Sequence, residues 1–396
     1  MMNVAVNAIA SDERLDADQL YALGQQLEEN LRARAVETEK NRILPVETMN
    51  EMREKGLLRL FVPQKFGGFE AEWGDQIAVG RALSRGCGST SWIACVVGSH
   101  PIYISRMDPR AQEDVWGNGP DVLVSTGSVI RDVEISEKPD GYILTGRWSF
   151  SSGIDHASWA LLRASITGDA RQSYFLIPKE ELTIEDDWFV SGMRGTGSKT
   201  VFADKIFIPS YRVISLADMY AANPPGSKIN RHYLSTESMR PFSGTNLMGP
   251  IMGTAEEILR EFEEMMAKGQ MGLSLDDPQT MLEYAEASAE IGAAKSLTDS
   301  VVQRQIAEGT SGQPIGKEAQ ISIVRDRTYA AHLCMKGANR IVKNLGMRSV
   351  LTDDAIQRHH RDLCAMMQQI GVNWDRNMLN CAKASFDLPN DILTLS

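Results

Sequence analysis

The chain is poor in everything that staples a fold, anchors it or holds a metal. Its 396 residues include five cysteines, Cys87, Cys95, Cys334, Cys364 and Cys381, odd in number and without a CxxC pair. That scatter excludes a disulfide framework and fits reduced, core-packed thiols of a cytoplasmic protein. No apolar run approaches the ~20 residues that cross a bilayer. The opening MMNVAVNAIASDERLDADQL has neither the basic head nor the apolar stretch of a signal peptide. Lys and Arg number 41 against 52 Asp and Glu, a formal charge of −11. Such a balance argues against a nucleic-acid partner, because phosphate backbones demand clustered cations. There is no GxxxxGK[ST], no GxGxxG between strand and helix, no HExxH and no GxSxG, which sets aside phosphate-loop, dinucleotide-fold, zinc-protease and serine-hydrolase chemistry. His232 and His332 stand alone. Adjacent residues such as His359 and His360 point to different sides of a helix, so no metal site is expected.

What is present is ordinary in amount, 43 % hydrophobic and 23 % charged, and ordered along the chain. At ~100–200 residues per domain, two or three domains are expected. Residues 1–120 read as helices. Leu20, Leu23, Leu27 and Leu31 share one helical face. Pro45 and Gly56 bracket a second helix, Gly67-Gly68 marks a loop, and a helix resumes near Ile77. TSWIACVVGSH continues as one helical segment to His100. Residues 121–212 break into short, β-branched and aromatic runs with a hairpin turn at Lys138-Pro139-Asp140-Gly141, an antiparallel β-domain. Residues 213–242 form a long polar connector, of the kind that often covers a site. Helical spacing then returns in Met248, Met252, Ala255, Leu259, Phe262 and Met266. A second stripe runs through Ile323, Ala330, Cys334, Ala338, Ile341 and Leu345, whose small residues suit close helix packing. The fold class is α+β: an N-terminal helical domain (1–120), a central antiparallel β-domain (121–212) and a C-terminal four-helix bundle (213–396) that includes the connector.

Within the β-domain, GRWSFSSGIDHASW reads as a strand that breaks at Ser151-Ser152-Gly153. The residues alone leave two meanings open: hydroxyls placed at the rim of a sheet for chemistry, or a bulge built from small polar residues. VSTGSV is either a strand facing a ligand or a strand with a glycine bulge. His100 either reaches a substrate or caps the helix before Pro101.

The helix–sheet–helix order, together with FVPQKFGG, GRWSFSSGIDHASW, GMRGTGSKTVFADKIFIP, MGTAEEILREF and RHHRDLCAMMQQIGVNWD, resembles the acyl-CoA dehydrogenase fold. Within that fold it resembles the two-component flavin-dependent aromatic hydroxylases (group D), over nearly the whole chain. The resemblance implies an oxygenase component that takes FMNH2, with FADH2 the alternative, from an NAD(P)H:flavin reductase. Molecular oxygen would then give a C4a-hydroperoxyflavin that hydroxylates a small aromatic or heteroaromatic compound. It implies a cytoplasmic homotetramer of aromatic compound catabolism.

The same resemblance implies roles for particular residues. Phe150, Ser151 and Ser152 would lie at the reactive edge of the flavin, with Ser151 or Ser152 at N5. Trp92 would wall the ring, and Thr126, Gly127 and Ser128 would meet its pyrimidine side. His100 would orient or deprotonate the substrate, which a group titrating near working pH does well. Arg240, Phe242, Ser243 and Asn246 would cover the substrate. Lys268, Gly346 and Arg348 would approach the flavin of a neighbouring subunit. Arg194 and Ser198 would serve as polar anchors. Gln369 would face the peroxide where the hydroxylases carry a His, and Ile370 follows where acyl-CoA dehydrogenases carry a Glu. The missing Glu argues against α-proton abstraction from a thioester. An acyl-CoA dehydrogenase or oxidase with bound FAD, or an amine N-oxygenase, are the alternatives.

Overall fold

The computed structural model describes residues 15–127, 129–166, 171–240, 242, 244–270 and 276–391; Ser128 and Ser243, both expected at the site, lie outside these. Helix α1 (Ala17–Gln25) starts on a capping box: Gln19 N–H donates to the Asp16 carboxylate, and Asp16 N–H donates to the Gln19 side chain. Leu20 and Leu23 of α1 and Leu31 of α2 (Glu28–Asn41) are buried, with Leu27 between them. The leucine stripe predicted as one helical face is thus shared by two helices with a break at Gln26–Leu27. Helix α3 (Val46–Glu54) begins after Pro45 and stops before Gly56, which takes φ 69°. Helices α4 (Asp75–Ser84), α5 (Gly88–Val96), α6 (Pro101–Arg106) and α7 (Pro109–Trp116) complete the first third. The segment predicted as one helix up to His100 tightens into a 3-10 turn at Val97–Ser99, and α6 restarts on Pro101. A proline belongs at a first helical turn because its missing N–H has no partner there anyway. The chain therefore changes course at His100.

Two four-stranded sheets follow. One has the order β1 (Val124–Gly127), β4 (Trp159–Ser165), β5 (Gln172–Pro178), β8 (Val213–Ser215). The other runs β2 (Val129–Lys138), β3 (Gly141–Ser151), β7 (Lys199–Pro209), β6 (Thr183–Glu185). The hairpin at Lys138–Gly141 joins β2 to β3 as predicted. All pairings are antiparallel except β1 with β4: between these strands the chain crosses to the other sheet, and returns in the direction it left. The β-region also extends past 212, since Val213–Ser215 pairs with β5. Trp148 is fully buried, its indole N–H donating to Arg163 O at 2.8 Å.

The predicted connector is folded rather than open. It carries β8, α8 (Leu216–Tyr220) and α9 (Tyr233–Thr236), and it is tied down by one buried side chain. The Arg106 guanidinium donates to Met219 O (2.7 Å), Leu234 O (2.9 Å), Glu237 O (2.7 Å) and Ala221 O. These carbonyls belong to the C-terminal ends of α8 and α9, where a cation is favoured by the unsatisfied helix carbonyls.

The C-terminal region holds α10 (Met248–Ala267), α11 (Pro278–Thr310), α12 (Lys317–Lys343), α13 (Ala355–Met366) and α14 (Trp374–Ser385). Met248, Met252, Ala255, Phe262 and Met266 of α10 are buried, as are Ala330, Cys334 and Ala338 of α12. Helices α4 and α10 touch backbone to backbone: a Cβ on Gly80 would stand 3.0 Å from Gly249 Cα. Arg32 of α2 bridges Glu257 (2.6 Å) and Glu261 (2.7 Å) of α10, and Arg260 pairs with Glu257. His359 lies with these two carboxylates. Arg32 and Arg260 already neutralise these carboxylates, so this cluster ties helices together. Among the described residues no helix is long and apolar enough to cross a membrane.

Candidate active site

A cavity of about 1180 Å³ opens between the rim of both sheets, the α5–α6 bend and the C-terminal helices. Trp92, His100, Thr126, Gly127, Phe150 and Ser152 line it, and so do Arg240, Asn246 and Gln369. Nine residues predicted from separate stretches therefore share one space.

The strand break that the sequence announces is a β-bulge. The β3–β7 register shifts between Trp148 and Ser151, and Phe150 adopts φ 65°. A left-handed conformation costs a non-glycine residue roughly 1–2 kcal/mol. Its effect is to throw the Phe150 ring outward, edge-on to Trp188 at 5.8 Å and 89°. Ser151 then points inward. Its side chain is fully buried, its hydroxyl has no partner among the described residues, and it does not line the cavity. Of the two serines offered for N5, only Ser152 faces the site.

The Ser152 hydroxyl belongs to a chain whose direction is determined. Thr196 donates to Met193 O at 2.8 Å. Its single proton being used, Thr196 accepts from Ser198 (2.7 Å), and Ser198 in turn accepts from Ser152 (2.8 Å). Trp92 Nε1–H lies 3.4 Å from Ser152 Oγ and donates to it. Ser152 is left with one free lone pair and no free proton, so it offers the cavity an acceptor. The GMRGTGSKT stretch thus contributes by orienting Ser152 through Thr196 and Ser198.

His100 is 5 % exposed. Its Nδ1 is 2.6 Å from Val124 O. A carbonyl only accepts, so Nδ1 carries the proton and Nε2 presents a lone pair, 3.4 Å from Thr126 Oγ1. Burial lowers its pKa to about 4, the Val124 hydrogen bond opposing only part of that. The ring is therefore neutral at working pH and, contrary to the sequence expectation, does not titrate near it: burial leaves it a hydrogen-bond acceptor and a weak base. Its side chain makes no helix-capping bond, which removes the capping interpretation.

Asp362, from RHHRD, supports the cavity from behind its lining. Its carboxylate accepts from Met193 N–H at 2.6 Å and so holds the Ser191–Met193 loop against α13. A Cβ on Gly192 would fall 2.1 Å from Arg361 O, so only glycine allows this contact. Burial raises the Asp362 pKa to about 6, against ~3.9 when unfolded. The folded state then binds the extra proton between those values, and the stability linked to Asp362 is lost as pH rises through about 6. Asp362→Asn keeps an acceptor without the titration. From pH 4 to pH 7 the parent is expected to lose about 2 kcal/mol relative to this variant in urea unfolding. Parallel pH profiles would refute that.

Asn246 donates to Cys95 O (3.2 Å) and Ser99 Oγ (3.1 Å) beside His100. The Gln369 side-chain oxygen accepts from Gly371 N–H, leaving its NH2 for the cavity. Phe242 departs from expectation. It is 1 % exposed and packs on Trp73 (5.2 Å) and Tyr233 (5.8 Å), anchoring the connector in the core and away from substrate space. Lys268 is exposed and paired with Glu264, and Arg348 pairs with Asp354 in the turn opened by Gly346. None of these three lines the cavity of their own chain. The structure adds Tyr103, Arg163, Tyr174, Trp188 and Tyr220 to the lining, which the sequence did not yield. Two signals for them existed: Tyr103 is three residues beyond His100 on a helix, and Arg163 is a lone charge in the apolar strand WALLRAS.

The acyl-CoA dehydrogenase N-terminal domain family matches residues 22–108, and the acyl-CoA dehydrogenase C-terminal domain family matches residues 247–374. The crystal structure of 3-HSA hydroxylase from Rhodococcus sp. RHA1 aligns with a TM-score of 0.88 at 30 % identity, covering 96 % of this chain and 100 % of that one. The fold is thus acyl-CoA dehydrogenase-like, with a helical, a β and a second helical region. The flavin-dependent monooxygenase oxygenase subunit HsaA of Rhodococcus jostii (strain RHA1) is 31 % identical over 368 residues, 91 % of this chain and 96 % of that protein. The FADH(2)-dependent resorcinol hydroxylase oxygenase component of Rhizobium sp. (strain MTP-10005) is 27 % identical, over 87 % of this chain and 88 % of that protein. The chain belongs to this family: it is a flavin-dependent monooxygenase oxygenase subunit.

Proposed function

We propose that this subunit hydroxylates a small phenolic or heteroaromatic compound, using reduced flavin delivered by a separate NAD(P)H:flavin reductase. FMNH2 is our first choice of flavin and FADH2 the alternative. The observation that carries the reading is the pairing, in one cavity, of a neutral imidazole with its lone pair exposed and a hydroxyl that can only accept. The residues present suit a flavin: Trp92, Phe150 and Trp188 supply aromatic walls, and Ser152 supplies an acceptor for a ring N–H. Reduced flavin, when bound, supplies the activation of dioxygen and the transferred oxygen atom.

The chain does the rest. His100 Nε2 accepts a hydrogen bond from the substrate hydroxyl, which orients the substrate and raises electron density on the aromatic ring without taking the proton. Ser152 retains a proton on the cofactor. The Gln369 NH2 offers a hydrogen bond where a charged donor would otherwise stand. The connector, through Tyr220 and Arg240, closes one side against water. Lys268, Gly346 and Arg348 remain candidates to reach the flavin of a neighbouring subunit in a homotetramer; unchanged FMNH2 affinity in Lys268→Ala and Arg348→Ala would dismiss them.

The alternatives fare worse. Among the described residues the cavity is lined by one carboxylate, Asp391, already paired with Arg376 at 2.9 Å. That leaves no free carboxylate to abstract an α-proton from a thioester. An amine substrate, cationic at neutral pH, would meet four guanidiniums, Arg163, Arg240, Arg327 and Arg376.

The test is rapid mixing of anaerobic protein and FMNH2 with oxygenated buffer. The protein is expected to delay the appearance of oxidised flavin and of hydrogen peroxide relative to free FMNH2. Ser152→Ala is expected to shorten that delay about tenfold, one charge-free hydrogen bond of ~1.5 kcal/mol. Peroxide release as fast as from free flavin would reject the oxygenase reading.

A further inference from the structure

Around Tyr103 an arm of the cavity lining takes no part in the flavin reaction as proposed. Tyr103 lies one turn further along α6, its ring 6.0 Å from that of His100. Tyr174 of β5 is 5.9 Å from Tyr103. Tyr220, at the end of α8, lines the same cavity, close enough to act electrostatically on both. Three phenols from three elements therefore converge on one part of the cavity. Tyr220 together with burial pushes the Tyr103 hydroxyl well above the usual phenol range, and burial does the same for Tyr174. Both stay protonated at any working pH and remain donors.

Arg163 faces the same arm. It stands opposite Tyr174 in the β4–β5 register and lines the cavity. Its charge acts on both Tyr103 and Tyr174. Among the described residues its guanidinium has no carboxylate within ion-pair distance. A half-buried guanidinium beside apolar and aromatic groups is costly unless an anion meets it. The remaining lining has the same sign: Arg240, Arg327 and Arg376 against Asp391 alone, in a chain whose formal charge is −11. A positive cavity inside an acidic protein concentrates anions.

We propose that this arm is a carboxylate subsite and that the substrate is a phenolic acid. Its hydroxyl sits at His100 and its carboxylate at Arg163, with the tyrosine hydroxyls as donors to the second oxygen. Such charge-assisted bonds are the strong ones. The proposal rests on the oxygenase reading for the role of His100. Its test reads binding alone, so the two can fail separately.

The probes are 3-(4-hydroxyphenyl)propanoate and its uncharged counterpart 4-propylphenol, measured by equilibrium dialysis against anaerobic protein with and without FMNH2. The parent is expected to bind the acid about tenfold tighter than the neutral phenol. Arg163→Met is expected to bring that ratio to within about twofold of one, with Arg163→Lys intermediate. FMNH2 affinity should stay within about twofold of the parent in all variants. Tyr220→Phe, the mildest change, should weaken acid binding about fivefold and leave 4-propylphenol untouched; it carries the test if Arg163→Met does not fold. No preference in the parent, or a preference that survives both the Arg163 and Tyr220 changes, overturns the proposal. So does a loss of FMNH2 affinity in place of acid affinity, which would assign the charge to flavin phosphate.

Discussion

His100→Ala is expected to oxidise bound FMNH2 at the parental rate while product formed per flavin oxidised falls about 100-fold, the usual worth of a positioned base. The two readings separate because, in the proposed function, His100 meets the substrate and Ser152 the cofactor. The imidazole hydrogen bond to Val124 O fixes the tautomer. Burial keeps the ring unprotonated down to about pH 4. Product yield in the parent should therefore show no inflection near 6.5, where an exposed histidine would titrate. Stability moves oppositely to that of Asp362. The folded state resists protonating His100, so stability linked to it is present above 6.5 and lost as pH falls toward about 4. Parental product yield in His100→Ala, measured with excess phenol, would take this residue out of the reaction.

Arg106→Met should be the most damaging single change for the fold. The substitution preserves much of the side-chain volume but leaves the carbonyls of Met219, Ala221, Leu234 and Glu237 without their donor. Each buried acceptor so abandoned costs ~1–3 kcal/mol. Water reaching a loosened connector would recover part of that, so a net loss of about 4 kcal/mol is expected in urea unfolding. Limited proteolysis should then cut between residues 216 and 240 before the helical core opens. An unchanged urea midpoint with an uncut connector would mean that the short helices hold themselves in place.

The sequence was most legible where local chemistry decides. The capping box of α1, the Lys138–Gly141 hairpin and the proline start of α6 each follow from a few adjacent residues. Clustering of Trp92, His100, Thr126, Ser152, Asn246 and Gln369 followed from family resemblance, and the cavity brings them together. Elsewhere the same residue types serve two purposes that spacing does not separate. Phe242 looks like a wall of a binding site and packs in the core on Trp73. Ser151 and Ser152 look equivalent until the Phe150 bulge turns one inward and the other outward. The arm of Tyr103, Arg163, Tyr174 and Tyr220 draws on α6, β4, β5 and α8, and only the tertiary path brings those elements together.

The one-way run of hydroxyls from Trp92 to Met193 has a final consequence for turnover. A reduced flavin carries a proton at its inner ring nitrogen, whereas an oxidised flavin presents a lone pair there. Ser152 has no proton to give, so a flavin seated against it as proposed would, once oxidised, meet lone pair against lone pair. Such a site would discriminate between redox states by hydrogen-bond polarity, favouring capture of fresh carrier and ejection of the exhausted one.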